Sequence, residues 1–251
     1  MMRVWYKLAG WTAHRRTLTG TIGLVPTMGA LHAGHAALVE RCHKENDVAV
    51  ATIFVNPSQF NDPKDLARYP QTLDQDLLLL ENLGVDDVLV PTAAEMYPHG
   101  YHLRLEPDSS ALILEGAHRP GFLQGVMTVV LKLLNLVQAD RAYFGEKDYQ
   151  QLLTVRAMAE EFFLQTEIVA CPTVREPSGL AMSSRNALLT PEGRQKAAYL
   201  YHALTTCPDP RVSLEAHGFR VDYIEERWNR RLAAVFLEGI RLIDNVPMEK
   251  I

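Results

Sequence analysis

The segment Val48–Val55 reads VAVATIFV, eight residues rich in β-branched side chains and without a charge. Side chains of a strand leave alternately on two faces, so a run that is apolar on both faces must be covered on both. That places it inside a parallel sheet with helices above and below. Other short apolar runs fit the same sheet: Ile22–Val25, Asp87–Val90, Ala142–Phe144 and Glu167–Ala170. Helical patterns lie between and around them. One covers residues 5 to 18, with His14, Arg15 and Arg16 on its outer side and Gly20 as its end. Others run to about Asn46, from Leu73 to Leu83 with Gly84 as stop, from Leu123 to Val137, and from Tyr149 to Phe163. Alternating strands and helices predict an α/β fold, a Rossmann-like parallel sheet with helices on both faces.

Some stretches read less regularly. Asn61-Asp62-Pro63 is a turn and helix start, Tyr101–Leu105 alternates like a strand with one wet face, and 115–121 reads as a loop. Beyond about residue 174 the pattern changes. Thr190-Pro191-Glu192 opens a helix to about Leu204, with threonine as cap and proline at the first helical position. Pro208-Asp209-Pro210 breaks the chain. Val221–Glu225 and Leu232–Ile243 read as strands, the second turning back near Glu238-Gly239. The expected division is residues 1–173 as a ligand-binding domain and 174–251 as a small α+β lid domain.

An open parallel sheet binds its ligands in the loops that follow the strands. Four loops there carry complementary chemistry. Residues 26–35 bring two imidazoles, His32 and His35, to a helix N-terminus, where unpaired N–H groups and the helix dipole favour anions. Residues 56–60 bring the amides Asn56 and Gln59. Residues 144–148 bring Gly145 for close backbone approach, together with Glu146, Lys147 and Asp148. Residues 175–186 bring Ser183, Ser184 and Arg185 beside Met182. Taken singly these are weak signals. A His-x-x-His pair more often decorates a helix start, Lys-Asp is more often a solvated pair, and Ser-Ser-Arg is more often a turn. Four such loops in this order fit a nucleoside triphosphate beside a small polar acid. The chain has neither GxxxxGK[ST] nor GxGxxG, and its histidine pair lacks third and fourth ligands for zinc. A formal net charge of -5 speaks weakly against nucleic acid as a partner. Three scattered cysteines suit a reducing cytoplasm, and no signal peptide or membrane-spanning run is evident.

The motifs resemble one family. Pro26-Thr27-Met28-Gly29-Ala30-Leu31-His32-Ala33-Gly34-His35 is similar to the signature of the pantoate–β-alanine ligases, the pantothenate synthetases. Ile53–Phe60, Phe144–Gln151 and Gly179–Asn186 resemble the family's other motifs, and the likeness covers most of residues 20 to 190. The elements HxGH and MSSR correspond to HIGH and KMSKS of a wider nucleotidyltransferase-like superfamily. The resemblance implies joining of pantoate to β-alanine through a pantoyl adenylate, with ATP as co-substrate and Mg2+ as companion, in a cytoplasmic homodimer. It implies that His32 and His35 meet the ATP phosphates, with His35 as proton donor. Lys147 would balance charge on the pyrophosphate side, and Ser183, Ser184 and Arg185 would clasp the phosphates. Pro26, Thr27, Met28, Gly29, Gly34, Gly145, Glu146, Asp148, Val174 and Met182 complete the implied ATP set. Gln59 and Gln151 would bind pantoate against Met28, Phe60 and Val130. Asp76 is a weak candidate metal ligand, since magnesium is expected mainly on phosphate oxygens. Two departures stand out. Phe122 occupies a place where the family usually has histidine, and the C-terminal region reads as shortened around Cys207–His217 and near Trp228. The alternative is a nucleotidyltransferase of the same superfamily acting on another small acid or phosphate ester.

Overall fold

The structure, a computed structural model, describes residues 1–61, 63–108 and 111–248. Asp62, within the expected turn before Pro63, lies outside them. The chain divides into two compact units. One comprises Met1–Gly145 with Gln150–Cys171; the other comprises Glu146–Tyr149 with the chain from Pro172 onward.

The first unit begins with β1 (Arg3–Trp5), α1 (Leu8–Arg15), β2 (Ile22–Thr27), α2 (Ala33–Glu45) and β3 (Val48–Ile53). Then come α3 (Pro63–Arg68), α4 (Leu73–Asn82), β4 (Asp87–Leu89), α5 (Ala93–Met96), α6 (Glu115–His118) and α7 (Phe122–Val137). It closes with β5 (Arg141–Gly145), α8 (Tyr149–Glu161) and β6 (Glu167–Cys171). The strands form one sheet in the order β1-β4-β3-β2-β5-β6, and every pairing in it is parallel. From β2 the chain builds outward through β3 and β4 on one side, then returns to β5 on the other. The order therefore reverses between β2 and β5, and a crevice at the carboxyl ends of such strands is where open sheets take ligands.

The fully covered strand β3 is buried from Ala49 to Ile53, as its apolar pattern requires. Val25, Val39, Cys42, Val88 and Tyr143 pack around it. Each large aliphatic side chain fully withdrawn from water there contributes about 1.5–3 kcal/mol. Burial pushes the Cys42 thiol up to about 12, which leaves it an inert packing group.

The amino terminus differs from its expected form. The helix expected over residues 5 to 18 is present but shorter, Leu8–Arg15, and Arg3–Trp5 ahead of it pairs with Asp87–Leu89 as an edge strand. The reason is Asp87, wholly buried. Its carboxylate accepts from Arg3 Nε and Nη2 at 2.9 Å each and from Trp5 Nε1 at 2.8 Å. His14 faces inward too, stacked on Trp5 with ring centroids 4.8 Å apart, and Arg15 donates to the Val137 carbonyl. A buried carboxylate needs such partners, and that need outweighs helix propensity here.

Tyr101–Leu105 is not a strand; the segment is irregular and has no sheet partner. Thr128 takes its backbone instead: its hydroxyl accepts from Leu105 N at 3.0 Å. Part of the expected loop 115–121 is the short α6.

The second unit holds α9 (Pro191–Ala197), α10 (Tyr199–Thr206), α11 (Pro210–Ala216), β7 (Arg220–Arg227), β8 (Arg230–Leu237) and β9 (Ile240–Pro247). The strands make an antiparallel meander, with the hairpin at Glu238-Gly239 as expected. Thr190 caps α9, its hydroxyl accepting from Gly193 N at 2.9 Å. The single helix expected to Leu204 is divided at Ala198 into α9 and α10. Pro208-Asp209-Pro210 is a breaker that also starts a helix: Asp209 accepts from Val212 N, and Pro210 occupies the first turn. Leu200, Leu204, Leu214, Val235 and Leu242 form this unit's core.

Candidate functional site

In the first unit the site is built around the loop between β2 and α2. Thr27, buried, donates its hydroxyl to the Thr52 carbonyl at 2.7 Å and accepts from Gly29 N at 3.2 Å. Gly29 then turns with φ +77° and Ala30 with φ 51°. Asp76 holds that turn. One carboxylate oxygen accepts from Ala30 N at 2.9 Å, the other from Leu31 N at 2.8 Å, and Thr72 Oγ1 adds a third bond at 3.1 Å. A methyl group at Gly29 would lie 2.9 Å from Asp76 Oδ2. Asp76, expected as a metal ligand, is thus committed to backbone N–H groups. Among the described residues no cluster of three or more His, Cys, Asp or Glu is arranged for a metal ion.

The loop delivers two histidines to the first turn of α2. His32 is its N-cap. The His32 Nδ1 accepts from Gly34 N at 3.1 Å, and His35 Nδ1 lies 3.4 Å from His32 N as acceptor. The rings sit 4.1 Å apart, centroid to centroid, at 32°. This is a capping box built from two imidazoles in place of serine and glutamate. It selects a tautomer: with Nδ1 accepting, the neutral ring carries its proton on Nε2. Both histidines are thereby prepared to act as Nε2–H donors at a helix N-terminus.

The loop after β3 follows the same economy. Asn56 is buried; its amide donates to Gln59 Oε1 at 3.0 Å and to the Gly125 carbonyl at 3.2 Å. Tyr97 and Ser58 hydroxyls donate to its oxygen. Gln59 in turn donates to Met28 Sδ at 2.9 Å, which ties this loop to the first. The approach of α7 is close enough that a Cβ at Gly125 would lie 2.5 Å from the Ser58 carbonyl oxygen. Phe60 packs edge-on against Tyr69 with centroids 5.6 Å apart, and Val130 is buried on α7. The neighbouring glutamines of α8 divide their work. Gln150 spends its carboxamide on the backbone of 111–115, whereas Gln151 is half-buried.

Phe122, standing where histidine was expected, carries a guanidinium. The Arg119 Cζ lies 3.7 Å above its ring centre. Arg119 also pairs with the buried Glu115 at 3.5 Å and donates to the Gln59 carbonyl at 3.4 Å. The sequence reading passed over Arg119, although its place beside Pro120-Gly121 marked it.

Gly145 ends β5 in the first unit, and the second unit holds the remaining expected residues. Glu146–Asp148 form a single 3₁₀ turn, and Lys147 lies 3.6 Å from Asp148. Val174 accepts from Met182 N at 2.9 Å, which closes the loop between them. Ser183 caps the following 3₁₀ helix, Ser184–Leu188, by accepting from Arg185 N at 3.2 Å. Ser184 and Arg185 are half-buried.

Two adjacent residues of β9 hold these loops. Asp244 takes a bidentate pair from Arg175, at 2.6 and 2.9 Å, and Arg175 also donates to the Gly179 carbonyl. Asn245 donates to the carbonyls of Glu146 and Lys147, each at 2.9 Å. Neither residue was singled out from sequence. Their signal was a polar pair, Asp-Asn, between the apolar Leu242-Ile243 and Val246 of β9, where a buried polar group needs a structural reason.

A family model for pantoate-beta-alanine ligase matches residues 2–247. A pantothenate synthetase of Bdellovibrio bacteriovorus is 52% identical over 239 residues, covering 94% of this chain and 95% of the relative. One from Legionella pneumophila (strain Corby) is 48% identical over 249 residues, covering 97% and 99%. The crystal structure of a pantoate-beta-alanine ligase from Francisella tularensis, complexed with beta-gamma ATP and beta-alanine, superposes with a TM-score of 0.95 at 40% identity, covering 100% of this chain and 99% of that one. These relatives are matched over nearly their full length, so the expected trimming of the C-terminal region is no departure from them.

Proposed function

Because the chain belongs to the pantoate–β-alanine ligase family, we propose that the loops described above carry out its reaction in two stages, through an acyl adenylate. The enzyme is a ligase that forms an amide bond, condensing pantoate with β-alanine at the expense of ATP. In the first stage a pantoate carboxylate oxygen attacks the α-phosphorus of ATP, the bond to the bridging oxygen breaks, and pyrophosphate leaves. In the second the amine of β-alanine attacks the acyl carbonyl, the bond to AMP breaks, and the proton lost by nitrogen passes to solvent. No covalent bond to the protein is needed. The work left to the side chains is positioning of reactants and neutralisation of phosphate charge.

The observation that carries this reading is the imidazole capping box at the start of α2. It presents Nε2–H donors where the helix dipole and unpaired N–H groups already favour phosphate. In this reading His35 is the proton donor to the phosphates, with His32 beside it. Pro26, Thr27, Met28, Gly29 and Gly34 shape the approach. Gln59 and Gln151 bind pantoate against Met28, Phe60 and Val130. Lys147 balances the leaving pyrophosphate, Ser183, Ser184 and Arg185 contact phosphates, and Gly145, Glu146, Asp148, Val174 and Met182 line the nucleoside. Magnesium bound with ATP would supply further neutralisation of phosphate charge. Release of AMP from ATP and pantoate should rise sharply when β-alanine is added. AMP formation indifferent to the amine, or nucleotide retained in the product, would instead support a plain nucleotidyltransferase.

The cytoplasmic setting and the homodimer belong to the same reading. Cys42, Cys171 and Cys207 form no disulfide. No helix of the described residues is long and apolar enough to cross a membrane. Leu103 (87%) and Leu112 (59%) expose apolar surface suited to a second copy. Sedimentation equilibrium should return twice the chain mass; a monomer at micromolar concentration would remove this part.

A further inference from the structure

The segment Glu146–Tyr149 follows β5 in sequence yet belongs by its contacts to the second unit. Its bonds show why. Both amide hydrogens of Asn245 are spent on it, at the Glu146 and Lys147 carbonyls. Asn245 is itself fixed by Arg230, whose Nη1 donates to its oxygen at 2.6 Å. The other arm of the same guanidinium donates to the Glu146 carboxylate at 2.6 Å. Its flat face lies 4.3 Å from the centre of the Tyr149 ring, which is backed by Trp228. Asn245 is only 2% exposed. A carboxamide buried that deeply costs stability unless every bond is made. An apolar residue would fill the strand position equally well, so the polar choice is explained by what it holds: the peptide groups either side of Lys147.

We infer that Asn245 and Arg230 are positioning residues for Lys147, acting from the β7–β9 sheet on the lysine assigned above to the pyrophosphate side. Lysine is a flexible point charge, and the direction of its stem is set by the backbone that bears it. Asn245 fixes that backbone through two carbonyls. Arg230 takes up the charge of Glu146, leaving Asp148 as the carboxylate 3.6 Å from the Lys147 ammonium. The inference rests on the proposed role of Lys147.

A double-mutant cycle separates the two ideas. Asn245→Ala, Lys147→Ala and the double variant are prepared, and kcat and KM for ATP are read from single-substrate series of AMP release with pantoate and β-alanine saturating. Asn245→Ala in the native background should lower kcat/KM for ATP by about tenfold or more, and in the Lys147→Ala background by less than about twofold, because the group it positions has gone. A purely structural role would give the same fold-loss in both backgrounds, and that result overturns the inference. So would an unchanged kcat/KM in Asn245→Ala. Near-native activity of Lys147→Ala alone would overturn the role of the lysine instead. If Asn245→Ala does not fold, as judged by circular dichroism, Arg230→Gln enters the same cycle with the same criteria.

Discussion

Substitution of His35 by alanine is expected to lower the turnover of AMP release by about a hundredfold or more, the usual loss on removing a preorganised N–H donor aimed at developing charge. The fold should survive. The bond that His35 Nδ1 accepts from His32 N is long, 3.4 Å, and the Gly34 N bond to His32 remains, so the cap is weakened rather than lost. A cap residue replaced by alanine costs about 0.5–2 kcal/mol, and this loss should fall at the low end. The comparison to make is turnover beside the thermal unfolding midpoint. Near-normal turnover with a normal midpoint would remove His35 from the chemistry, while a collapsed midpoint would show it to be chiefly a structural cap. His35→Gln sharpens the test, since its carboxamide can still accept at the cap while its N–H donors no longer sit where the imidazole Nε2–H did.

The second large effect is expected at Gly29→Ala. Two penalties coincide there. With φ at +77°, an L side chain pays about 1–2 kcal/mol for left-handed backbone. The added methyl also meets Asp76 Oδ2 at 2.9 Å. That carboxylate cannot swing aside cheaply, because it is held by Ala30 N, Leu31 N and Thr72, and leaving buried N–H groups unpaired costs about 1–3 kcal/mol each. The turn should open, and His32 and His35 with it. The expected outcome is a lower unfolding midpoint together with a fall in turnover of at least about tenfold, on the scale of the loss that follows misplacement of catalytic groups by an ångström. A variant that loses stability but keeps turnover would show that the histidines do not depend on this turn.

The parts of the molecule legible in the sequence are those governed by local periodicity. Val48–Ile53 announced a strand covered on both faces, and Thr190-Pro191 announced a cap, because each signal lies within a few residues of its effect. What escaped was decided at long range. Arg3–Trp5 becomes a strand only because Asp87 waits 84 residues away for Arg3. Tyr101–Leu105 alternates in sequence but finds no neighbouring strand, so alternation alone does not make a sheet. The site divides in the same way. His32, His35, Lys147 and Ser183–Arg185 could be named from motifs, since their chemistry is carried by residue type and spacing. Asp76, Arg119, Asp244 and Asn245 could not be placed, because what they do depends on which backbone they reach. Asp76, a weak metal candidate on residue type, holds a turn through Ala30 N and Leu31 N.

The discontinuity of the second unit bears on its modularity. Its sheet and helices read as a cassette that begins at Pro172, yet four of its residues are inherited from the middle of the other unit's sequence. A fragment ending at Cys171 would keep the carbonyls of Glu146 and Lys147 and the Glu146 carboxylate, but not Asn245 or Arg230. A fragment beginning at Pro172 would keep those two side chains with nothing to hold. Exchange of the C-terminal segment between relatives therefore has to carry Glu146–Tyr149 along with it, so the module that shuffles intact is larger than the one that chain order suggests.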